Sequence, residues 1–473
     1  MKMIVGGKEI SREKTLEVLY PYTGEVIDTV PEASFEDVDK AISLAVEGKR
    51  IMKNTPIYKR VEILNKVSEI ILQKANELTK SLVLEVGKTI GEARAEVLRT
   101  AEIFKYAAEE AKRIHGETLP FDSVKGSEMK KGFFIREPVG IVGAIVPFNV
   151  PLALAAHKIA PAIAAGNAVI LKPTTQAPLN GIILGRILLE AGMPPEALSV
   201  LTGRGNTVGT AIVKDPRIRM ITFTGSVDVG KEIMKNAGIK KVALELGSNS
   251  ALVIMNSANI EKAVKATVSG GFSLAGQVCI SVQRVFVQED VFEDYINRLI
   301  EEVKKIKYGD PMNEKIDMGP VIDESNAKRI VEWINEAKEL GGTIVIGGQR
   351  NYTMVEPTVV VNAPLNAKIM EKELFGPAVA VRKIHDLDEA IKLVNKSRYG
   401  LQAGIFTERL EEAFRFAECV EVGGVMINEG PRYRADFMPY GGYKDSGIGR
   451  EGIKYAIEEM TEIKVVCFDL RRE

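Results

Sequence analysis

The stretch MITFTGSVDVGKEIM, residues 220–234, holds the pattern that decides the fold. Apolar and β-branched residues come first, Gly225 and Ser226 follow, and apolar residues then recur at helical spacing. A strand that is buried on both faces reads as a continuous apolar run, and a helix N-terminus leaves free N–H groups facing the preceding loop. The stretch therefore predicts a buried strand, a tight turn and a helix, the unit from which parallel α/β sheets are built.

The same unit recurs on both sides of this stretch. Helical segments such as 151–166 separate short apolar runs, which lie at 139–147, 167–173, 198–203, 241–246 and 250–255. After Gly247 a second alternation begins, with strand-like runs at 283–288, 343–348, 378–384, 403–407 and 423–428. Alternation of strands and helices predicts an α/β fold. Because a second series of strands and helices begins near residue 247, we expect two successive α/β units.

Outside these two α/β units, the sequence predicts long helices and isolated strands. Apolar residues recur at helical spacing over 35–53, 60–87 and 92–114, which predicts three long amphipathic helices. Two isolated apolar strands are predicted, one at 130–138 and one within the last twenty residues. An unpaired apolar strand needs a partner, so these two segments are either a flap for oligomerisation or edge strands of the main sheets.

Composition excludes several classes of protein. The chain has 473 residues, 45% hydrophobic and 27% charged, with a formal net charge of −1 and no block of basic residues. We therefore expect a globular protein of two or three domains with no nucleic-acid partner. No apolar run approaches the roughly 18 residues that cross a bilayer, and the first residues lack the apolar core of a signal peptide. We expect no membrane association and a cytoplasmic location.

Cysteine and histidine usage narrows the possible chemistry. Cys279, Cys419 and Cys467 are far apart without paired spacing, so free thiols are expected rather than a disulfide or a cysteine-based zinc site. The chain has only three histidines, and no metal site is predicted.

Two segments are candidates for binding a phosphate-bearing cofactor. The turn that contains Gly225 and Ser226 precedes a helix N-terminus, where glycine lets a pyrophosphate approach the backbone, although a plain capped helix has the same pattern. Lys172 ends an apolar run before a proline, from where its ammonium can reach ribose hydroxyls or a phosphate. The alternative is a solvated lysine that opens a loop. The glycine-rich TGRGNTVG at 202–209 is either a further contact or a turn.

Three residues are candidates for the chemistry itself. Cys279 follows a glycine-containing segment, and a reactive thiol needs a partly open, electropositive pocket; buried packing is the alternative. Glu245 ends an apolar strand, where desolvation would raise its pKa and suit it as a general base; an edge carboxylate facing solvent is the alternative. Asn149 lies between two prolines, where its amide could serve as an oxyanion donor or simply form a turn.

Eight motifs occur in the order and approximate spacing found in NAD(P)-dependent aldehyde dehydrogenases, and the chain resembles that family from about residue 5 to residue 469. The motifs are PFNVPL (147–152), LKPTTQ (171–176), FTGSVDVG (223–230), LELGSN (244–249), GQVC (276–279), KELFGP (372–377), YGLQAGIFT (399–407) and MPYGGYKDSGIGREG (438–452). The motifs look closest to those of archaeal lactaldehyde dehydrogenases and non-phosphorylating glyceraldehyde-3-phosphate dehydrogenases.

The resemblance implies a fold with three parts. A Rossmann-like cofactor-binding domain would comprise residues 1–120 and 139–246, and an α/β catalytic domain residues 247–440. A small β flap built from 121–138 and 455–473 would form a homodimer or homotetramer.

The resemblance also implies roles for individual residues. Cys279 would be the nucleophile, Asn149 would hold the oxyanion, and Glu245 would activate the water that hydrolyses the thioester. The implied cofactor-binding residues are Pro147, Lys172, Thr174, Thr175, Gly205, Gly209, Phe223, Gly225, Ser226, Val229, Gly230, Leu246, Glu373 and Phe375.

Several positions depart from the family pattern. Ser248 stands where glycine is common, and Thr175 stands where many NAD-preferring members have an acidic residue, which favours NADP while leaving NAD possible. Val278 and Val150 replace an arginine and a tyrosine of phosphate-accepting enzymes. The candidate substrate-binding residues that remain are Arg99, Arg432 and Arg434.

The expected substrate is therefore a small aldehyde of the lactaldehyde, glycolaldehyde or glyceraldehyde type. Glyceraldehyde 3-phosphate and succinate semialdehyde remain as alternatives. A thiol hydrolase that uses Cys279 is the alternative from another class, but it needs an imidazole, and His157 is expected to be a core residue satisfied by the backbone.

Overall fold

The computed structural model describes residues 1–471. Within that range the α-helices are α1 (Phe35–Asn54), α2 (Ile57–Gln73), α3 (Ala75–Val86), α4 (Ile90–Ala111), α5 (Pro151–Ala165), α6 (Leu179–Glu190), α7 (Thr210–Lys214), α8 (Val227–Asn236), α9 (Ile260–Phe272), α10 (Phe292–Val303), α11 (Glu324–Glu339), α12 (Lys368–Glu371), α13 (Leu387–Asn395), α14 (Leu410–Cys419) and α15 (Ile453–Glu459).

The strands of the same range are β1 (Met3–Val5), β2 (Lys8–Ile10), β3 (Thr15–Leu19), β4 (Val26–Pro31), β5 (Glu117–Thr118), β6 (Lys130–Pro138), β7 (Ile141–Ile145), β8 (Ala168–Lys172), β9 (Leu198–Val200), β10 (Met220–Thr224), β11 (Lys241–Glu245), β12 (Ala251–Ile254), β13 (Arg284–Gln288), β14 (Thr343–Ile346), β15 (Arg350–Asn351), β16 (Met354–Val355), β17 (Thr358–Val361), β18 (Ala378–Ile384), β19 (Tyr399–Gly400), β20 (Gln402–Phe406), β21 (Gly424–Ile427), β22 (Tyr443–Lys444), β23 (Gly447–Ile448) and β24 (Thr461–Asp469).

The first main sheet has the order β2-β1-β9-β8-β7-β10-β11-β23. Its five central strands are parallel, and the chain runs outward from β7 through β8 and β9 on one side and through β10 and β11 on the other. This is the doubly wound arrangement, in which the strand order reverses between β7 and β10 and opens a crevice at their carboxyl ends. Residues 220–224 are buried throughout, as predicted for a strand covered on both faces.

The second main sheet has the order β14-β17-β18-β13-β12-β20-β21 and is parallel except for β14. The strand β11 ends at Glu245 in the first sheet, and β12 starts at Ala251 in the second. The segment 246–250 therefore connects the two sheets.

The helices differ from prediction at one place. The predicted single helix over 60–87 is wrong, because the backbone leaves helical geometry at Lys74 (φ −96°, ψ 16°), where α2 ends and α3 begins. Both helices pack against α4, so the break lets two successive apolar faces reach the same helix. The apolar periodicity continues across the break and gives no signal of it.

The two isolated strands pair with each other. Strand β24 runs antiparallel to β6 from Thr461 opposite Pro138 to Asp469 opposite Lys130. They form a separate sheet in the order β24-β6-β5, so the alternative that they are edge strands of the main sheets is wrong. The last two residues of the predicted flap, 472 and 473, lie outside the described part of the chain.

Candidate active site

A cavity of about 920 Å³ opens at the carboxyl ends of β7, β8 and β10, where the strand order of the first sheet reverses. Open α/β sheets bind ligands at such points. The cavity wall includes most residues predicted from the sequence, namely Pro147, Asn149, Lys172, Thr174, Thr175, Gly205, Gly209, Phe223, Gly225, Ser226, Val229, Leu246, Cys279, Glu373 and Phe375. It does not include Gly230, Glu245, Arg99, Arg432 or Arg434.

The N-terminus of α8 forms one part of the wall. Ser226 caps this helix, and its hydroxyl accepts a hydrogen bond from the N–H of Val229 at 3.4 Å. A Cβ on Gly225 would lie 2.4 Å from Cζ of Phe223, so a side chain does not fit there. A Cβ on Gly230 would lie 2.6 Å from Cδ2 of Leu246, so this glycine allows close packing behind the wall rather than contact with the cavity.

The ammonium of Lys172 lies at a second part of the wall. Burial lowers the pKa of Lys172 to about 8, and its Nζ donates to the carbonyl of Pro173 at 2.9 Å. The hydroxyl of Thr175 donates to the carbonyl of Gly203 at 3.2 Å. A smaller adjoining cavity of about 540 Å³ shares Thr175 and is lined also by Arg204, a residue that the sequence analysis did not single out.

Glu373 and Phe375 approach from the second sheet. Glu373 accepts a hydrogen bond from the N–H of Ser248 at 3.0 Å, and burial raises its pKa to about 7. A Cβ on Gly247 would lie 2.4 Å from Oε2 of Glu373, so glycine is needed for this approach. The ring of Phe375 stands edge-on to that of Phe148, with centroids 5.9 Å apart.

Cys279 lies at one end of the cavity, with its Sγ 3.1 Å from the hydroxyl of Tyr440. The expectation of an electropositive, partly open pocket is only partly met. The side chain is partly exposed, but burial dominates its electrostatics and raises the pKa of the thiol to about 11. Tyr440 and Arg434 act in the opposite direction and lower that pKa.

Asn149 is tied to the cysteine-bearing loop. Its Nδ2 donates to the carbonyl of Gln277 at 2.9 Å, and its backbone carbonyl accepts from Nζ of Lys88 at 2.9 Å. Lys88 in turn forms a buried ion pair with Glu96, whose other oxygen accepts from the first N–H groups of α5. An amide nitrogen carries two hydrogens, so Asn149 keeps one donor after its bond to Gln277.

Glu245 lies behind the cavity wall and is almost completely buried. Its Oε2 has no hydrogen-bond partner among residues 1–471. Burial and the nearby Glu451 raise the pKa of Glu245 well above its usual range, which confirms the predicted direction. Glu451 itself is held by Lys158 at 3.0 Å and by Arg434 at 2.9 Å.

The three candidate arginines differ in their partners. Arg99 binds Asp436 with several hydrogen bonds, the shortest 2.6 Å, and Arg434 binds Glu451. Arg432 has an exposed side chain that forms no hydrogen bond or ion pair with residues 1–471. Burial of its surroundings and the charge of Arg99 lower the pKa of Arg432.

His157 is buried as expected, but its partner is a side chain rather than the backbone. Its Nε2 lies 2.9 Å from Oδ1 of Asp436, and its Nδ1 has no partner within the described residues. Burial and Arg434 lower its pKa to about 4. The imidazole is thus engaged with Asp436 and not with the thiol of Cys279, which argues against the hydrolase alternative.

Residues 1–471 contain no cluster of three or more His, Cys, Asp or Glu side chains suited to hold a metal ion. None of the helices in that range is both long and apolar enough to cross a membrane.

Comparison with known proteins agrees with this site. A sequence model described as "Aldehyde dehydrogenase family" matches residues 9–466. A 3-sulfolactaldehyde dehydrogenase of Priestia aryabhattai is 44% identical over 469 residues, covering 99% of this chain and 98% of its own. A lactaldehyde dehydrogenase of Methanococcus aeolicus is 42% identical, covering 99% of this chain and 100% of its own.

Among solved structures, a glyceraldehyde-3-phosphate dehydrogenase from Methanocaldococcus jannaschii complexed with NADP superimposes with a TM-score of 0.94. It is 41% identical, and the match covers 97% of this chain and 100% of that one. The chain therefore belongs to the aldehyde dehydrogenase family, and it is an oxidoreductase that uses NAD(P) to oxidise small aldehydes.

Proposed function

We propose that the chain oxidises a small 2-hydroxyaldehyde of the lactaldehyde, glycolaldehyde or glyceraldehyde type to its carboxylate, with NADP as the favoured cofactor. This proposal rests on one cavity. Its wall contains Cys279 and Asn149, and also the N-terminus of α8, Lys172 and Glu373. A thiol, an amide donor and an extended site for a dinucleotide then lie along one continuous surface.

Cys279 is the proposed nucleophile. Its thiolate adds to the aldehyde carbonyl, and the oxyanion of the resulting thiohemiacetal is held by the remaining N–H of Asn149 and by the backbone N–H of Cys279. Loss of hydride from this adduct leaves a thioester. Glu245, whose raised pKa suits a general base, removes a proton from the water that attacks the thioester, and this releases the carboxylate and restores the thiol.

The residues on the wall fit a nicotinamide dinucleotide. The N-terminus of α8 is capped by Ser226 and preceded by Gly225, which has no side chain, and this suits a pyrophosphate. The carboxylate of Glu373 suits ribose hydroxyls, and the Lys172 ammonium keeps donors free beyond its bond to Pro173. When bound, NAD(P) supplies the nicotinamide C4 that accepts the hydride.

The preference for NADP is proposed from the neutral and basic groups around the predicted position of the adenosine ribose. Thr175 is neutral, with its hydroxyl donated to Gly203, and Lys172 provides a cation. Arg204 lines the adjoining cavity together with Glu17 and Asp323 and is paired with Glu32 at 3.4 Å. A 2′-phosphate is favoured by donors and cations and is repelled by a carboxylate.

Replacing Thr175 with glutamate tests this cofactor preference. Thr175→Glu places a negative charge beside the 2′-phosphate, so we expect the ratio of kcat/KM for NADP to that for NAD to fall by roughly 100-fold. Steady-state kinetics with both cofactors and one aldehyde measure the ratio. Thr175→Ser, which keeps the hydroxyl, is the matched control and should retain the wild-type ratio. If Thr175→Glu left the NADP-to-NAD ratio of kcat/KM unchanged, the proposed role of residue 175 in cofactor preference would be contradicted.

The proposed substrate class rests on which of the three candidate arginines already form ion pairs. Arg99 and Arg434 are neutralised by Asp436 and Glu451, which leaves Arg432 as the candidate with an unpaired guanidinium among the described residues. Val278 and Val150 offer no further cation or hydroxyl. Because Arg99 and Arg434 are paired and Arg432 lies outside the cavity wall, the candidate arginines offer little free charge to a phosphate dianion, which favours an uncharged hydroxyaldehyde.

A substrate panel tests this choice directly. We expect kcat/KM to be highest for one of lactaldehyde, glycolaldehyde and glyceraldehyde, and lower for glyceraldehyde 3-phosphate and succinate semialdehyde, each measured with NAD and with NADP. The valines in place of phosphate-binding groups are the physical reason. Clear superiority of glyceraldehyde 3-phosphate would contradict the proposal.

We further propose a homodimer or homotetramer assembled through the flap of β5, β6 and β24. Strand β24 pairs with β6 on one side only, and it exposes Ile463, Val465 and Phe468. An open strand edge with apolar side chains is a template for pairing with another copy. The division into a cofactor-binding part (1–120 and 139–246), a catalytic part (247–440) and a flap (121–138 and 455–473) remains part of this proposal, as does a cytoplasmic location.

A further inference from the structure

The environment of Cys279 contains a polar group that the mechanism above does not use. The hydroxyl of Tyr440 lies 3.1 Å from Sγ of Cys279, and the sulfur is its hydrogen-bond partner within the described residues. Cys279 and Tyr440 belong to a small hydrophobic cluster with Val278, Ile280 and Leu401. Among the described residues, Tyr440 is the one whose side chain forms a hydrogen bond with this sulfur.

We infer that Tyr440 is a further catalytic residue, whose hydroxyl donates a hydrogen bond to the thiolate of Cys279 and stabilises the attacking form of the nucleophile. A thiolate has no hydrogen to donate, so in that state the phenol must be the donor. Hydrogen bonds to an ionised acceptor are about twice as strong as those between neutral groups. The inference rests on the proposed role of Cys279 as nucleophile.

The phenol ring is held in this position by the backbone and by Arg434. The N–H of Tyr440 donates to the carbonyl of Glu451 at 3.0 Å, and the N–H of Glu451 donates back at 2.7 Å. The guanidinium of Arg434 lies 3.8 Å from the ring centroid and is anchored on the Glu451 carboxylate. Its charge also favours negative charge on the sulfur, so the cation and the hydroxyl act in the same direction.

The tyrosine is suited to remain a donor. Burial raises the pKa of Tyr440 well above its ordinary value, and the nearby charge of Cys279 raises it further. Both effects favour the protonated phenol, which is the form that donates a hydrogen bond. The hydroxyl compensates part of the desolvation that raises the pKa of the thiol, and an apolar ring at this position would not.

Alkylation of Cys279 as a function of pH tests the inference without requiring turnover. Full-length wild type, Tyr440→Phe and Tyr443→Phe are treated with iodoacetamide at several pH values from about pH 6 to about pH 9, below the raised pKa of the thiol. The rate at Cys279 is followed on the tryptic peptide that spans residues 266–284, in which it is the only cysteine. The exposed Cys419 and Cys467 report on general thiol reactivity in the same samples.

We expect Tyr440→Phe to lower the alkylation rate of Cys279 by about 10- to 100-fold at each pH below the pKa of the thiol, because a charge-assisted hydrogen bond is lost and the thiolate fraction falls. The rise of kcat/KM with pH should move to higher pH. Tyr443→Phe, which alters an exposed ring three residues away, should match the wild type. Phenylalanine differs from Tyr440 only by the oxygen, and no other side-chain hydrogen bond of the described residues depends on that oxygen.

An unchanged alkylation rate of Cys279 in Tyr440→Phe would overturn the inference, since a purely packing role predicts that result. If the wild type did not oxidise aldehydes with NAD(P), the proposed function would be contradicted. The alkylation rates would still show whether the Tyr440 hydroxyl affects the reactivity of Cys279. The two failures are therefore distinguishable.

Discussion

Cys279→Ser is expected to lower kcat for aldehyde oxidation by roughly 10⁴- to 10⁶-fold. A serine hydroxyl in this apolar cluster lacks both the acidity and the nucleophilicity of a thiol, and no imidazole contacts it to remove its proton. The formation of reduced cofactor, followed by absorbance with excess aldehyde, measures the loss.

Binding of NADP should survive this change, because Lys172, Ser226 and Glu373 lie along other parts of the cavity wall. Calorimetric titration with NADP checks that the fold and the cofactor site are intact. Cys419→Ser, at an exposed cysteine, is the matched control and should keep wild-type turnover. Substantial turnover in Cys279→Ser would exclude the cysteine as nucleophile.

Glu245→Gln is expected to slow hydrolysis of the thioester by about 10²- to 10⁴-fold while leaving hydride transfer largely intact. Glutamine fills the same buried volume but cannot accept a proton from water. Rapid mixing should therefore show a burst of reduced cofactor, equivalent to one turnover per site, followed by a slow steady state. If the steady state were slow without a burst, Glu245 would act before the thioester and the assigned step would be incorrect.

The pH dependence provides a second measurement on the same variant. Because burial raises the pKa of Glu245, the carboxylate required as a base is lost when the pH falls through that raised pKa, and wild-type deacylation should decline with it. Glu245→Gln should lack this decline. Hydroxylamine, which attacks a thioester without a general base, should restore turnover of the variant and leave Cys279→Ser inactive.

The strands of the first sheet could be predicted from the sequence for a simple reason. Strands covered on both faces must be apolar along their whole length, so β7, β8, β10 and β11 appear as continuous apolar runs. The positions of Lys172 and Ser226 follow from the same rule, because the loops after such strands meet at one edge of the sheet. The break at Lys74 has no such signal, because each helix on its own satisfies the apolar period.

The contacts around Cys279 could not be predicted from the sequence in this way. Tyr440, Asp436 and Glu451 come from the segment between β21 and α15, and tertiary packing brings them to Cys279, His157 and Lys158. Tyr440 and Glu451 lie within the motif at 438–452, but their spacing is not that of a helix or a strand and does not predict these contacts. The expectation of an electropositive, partly open pocket around the thiol is met only in part for the same reason, since the balance between burial and Arg434 is a property of the folded site.

The strand β23, which closes the first sheet, has a consequence for synthesis of the chain. Strand β11 carries Glu245, and among residues 1–471 its outer edge pairs with residues 447–448, where Gly447 lies opposite Glu245. The second sheet, by contrast, has all its strands between residues 251 and 427. A chain emerging from the ribosome can thus complete its second sheet while β11 is still an open edge. During synthesis, the strand that carries Glu245 therefore gains its outer neighbour later than the second sheet gains its last strand.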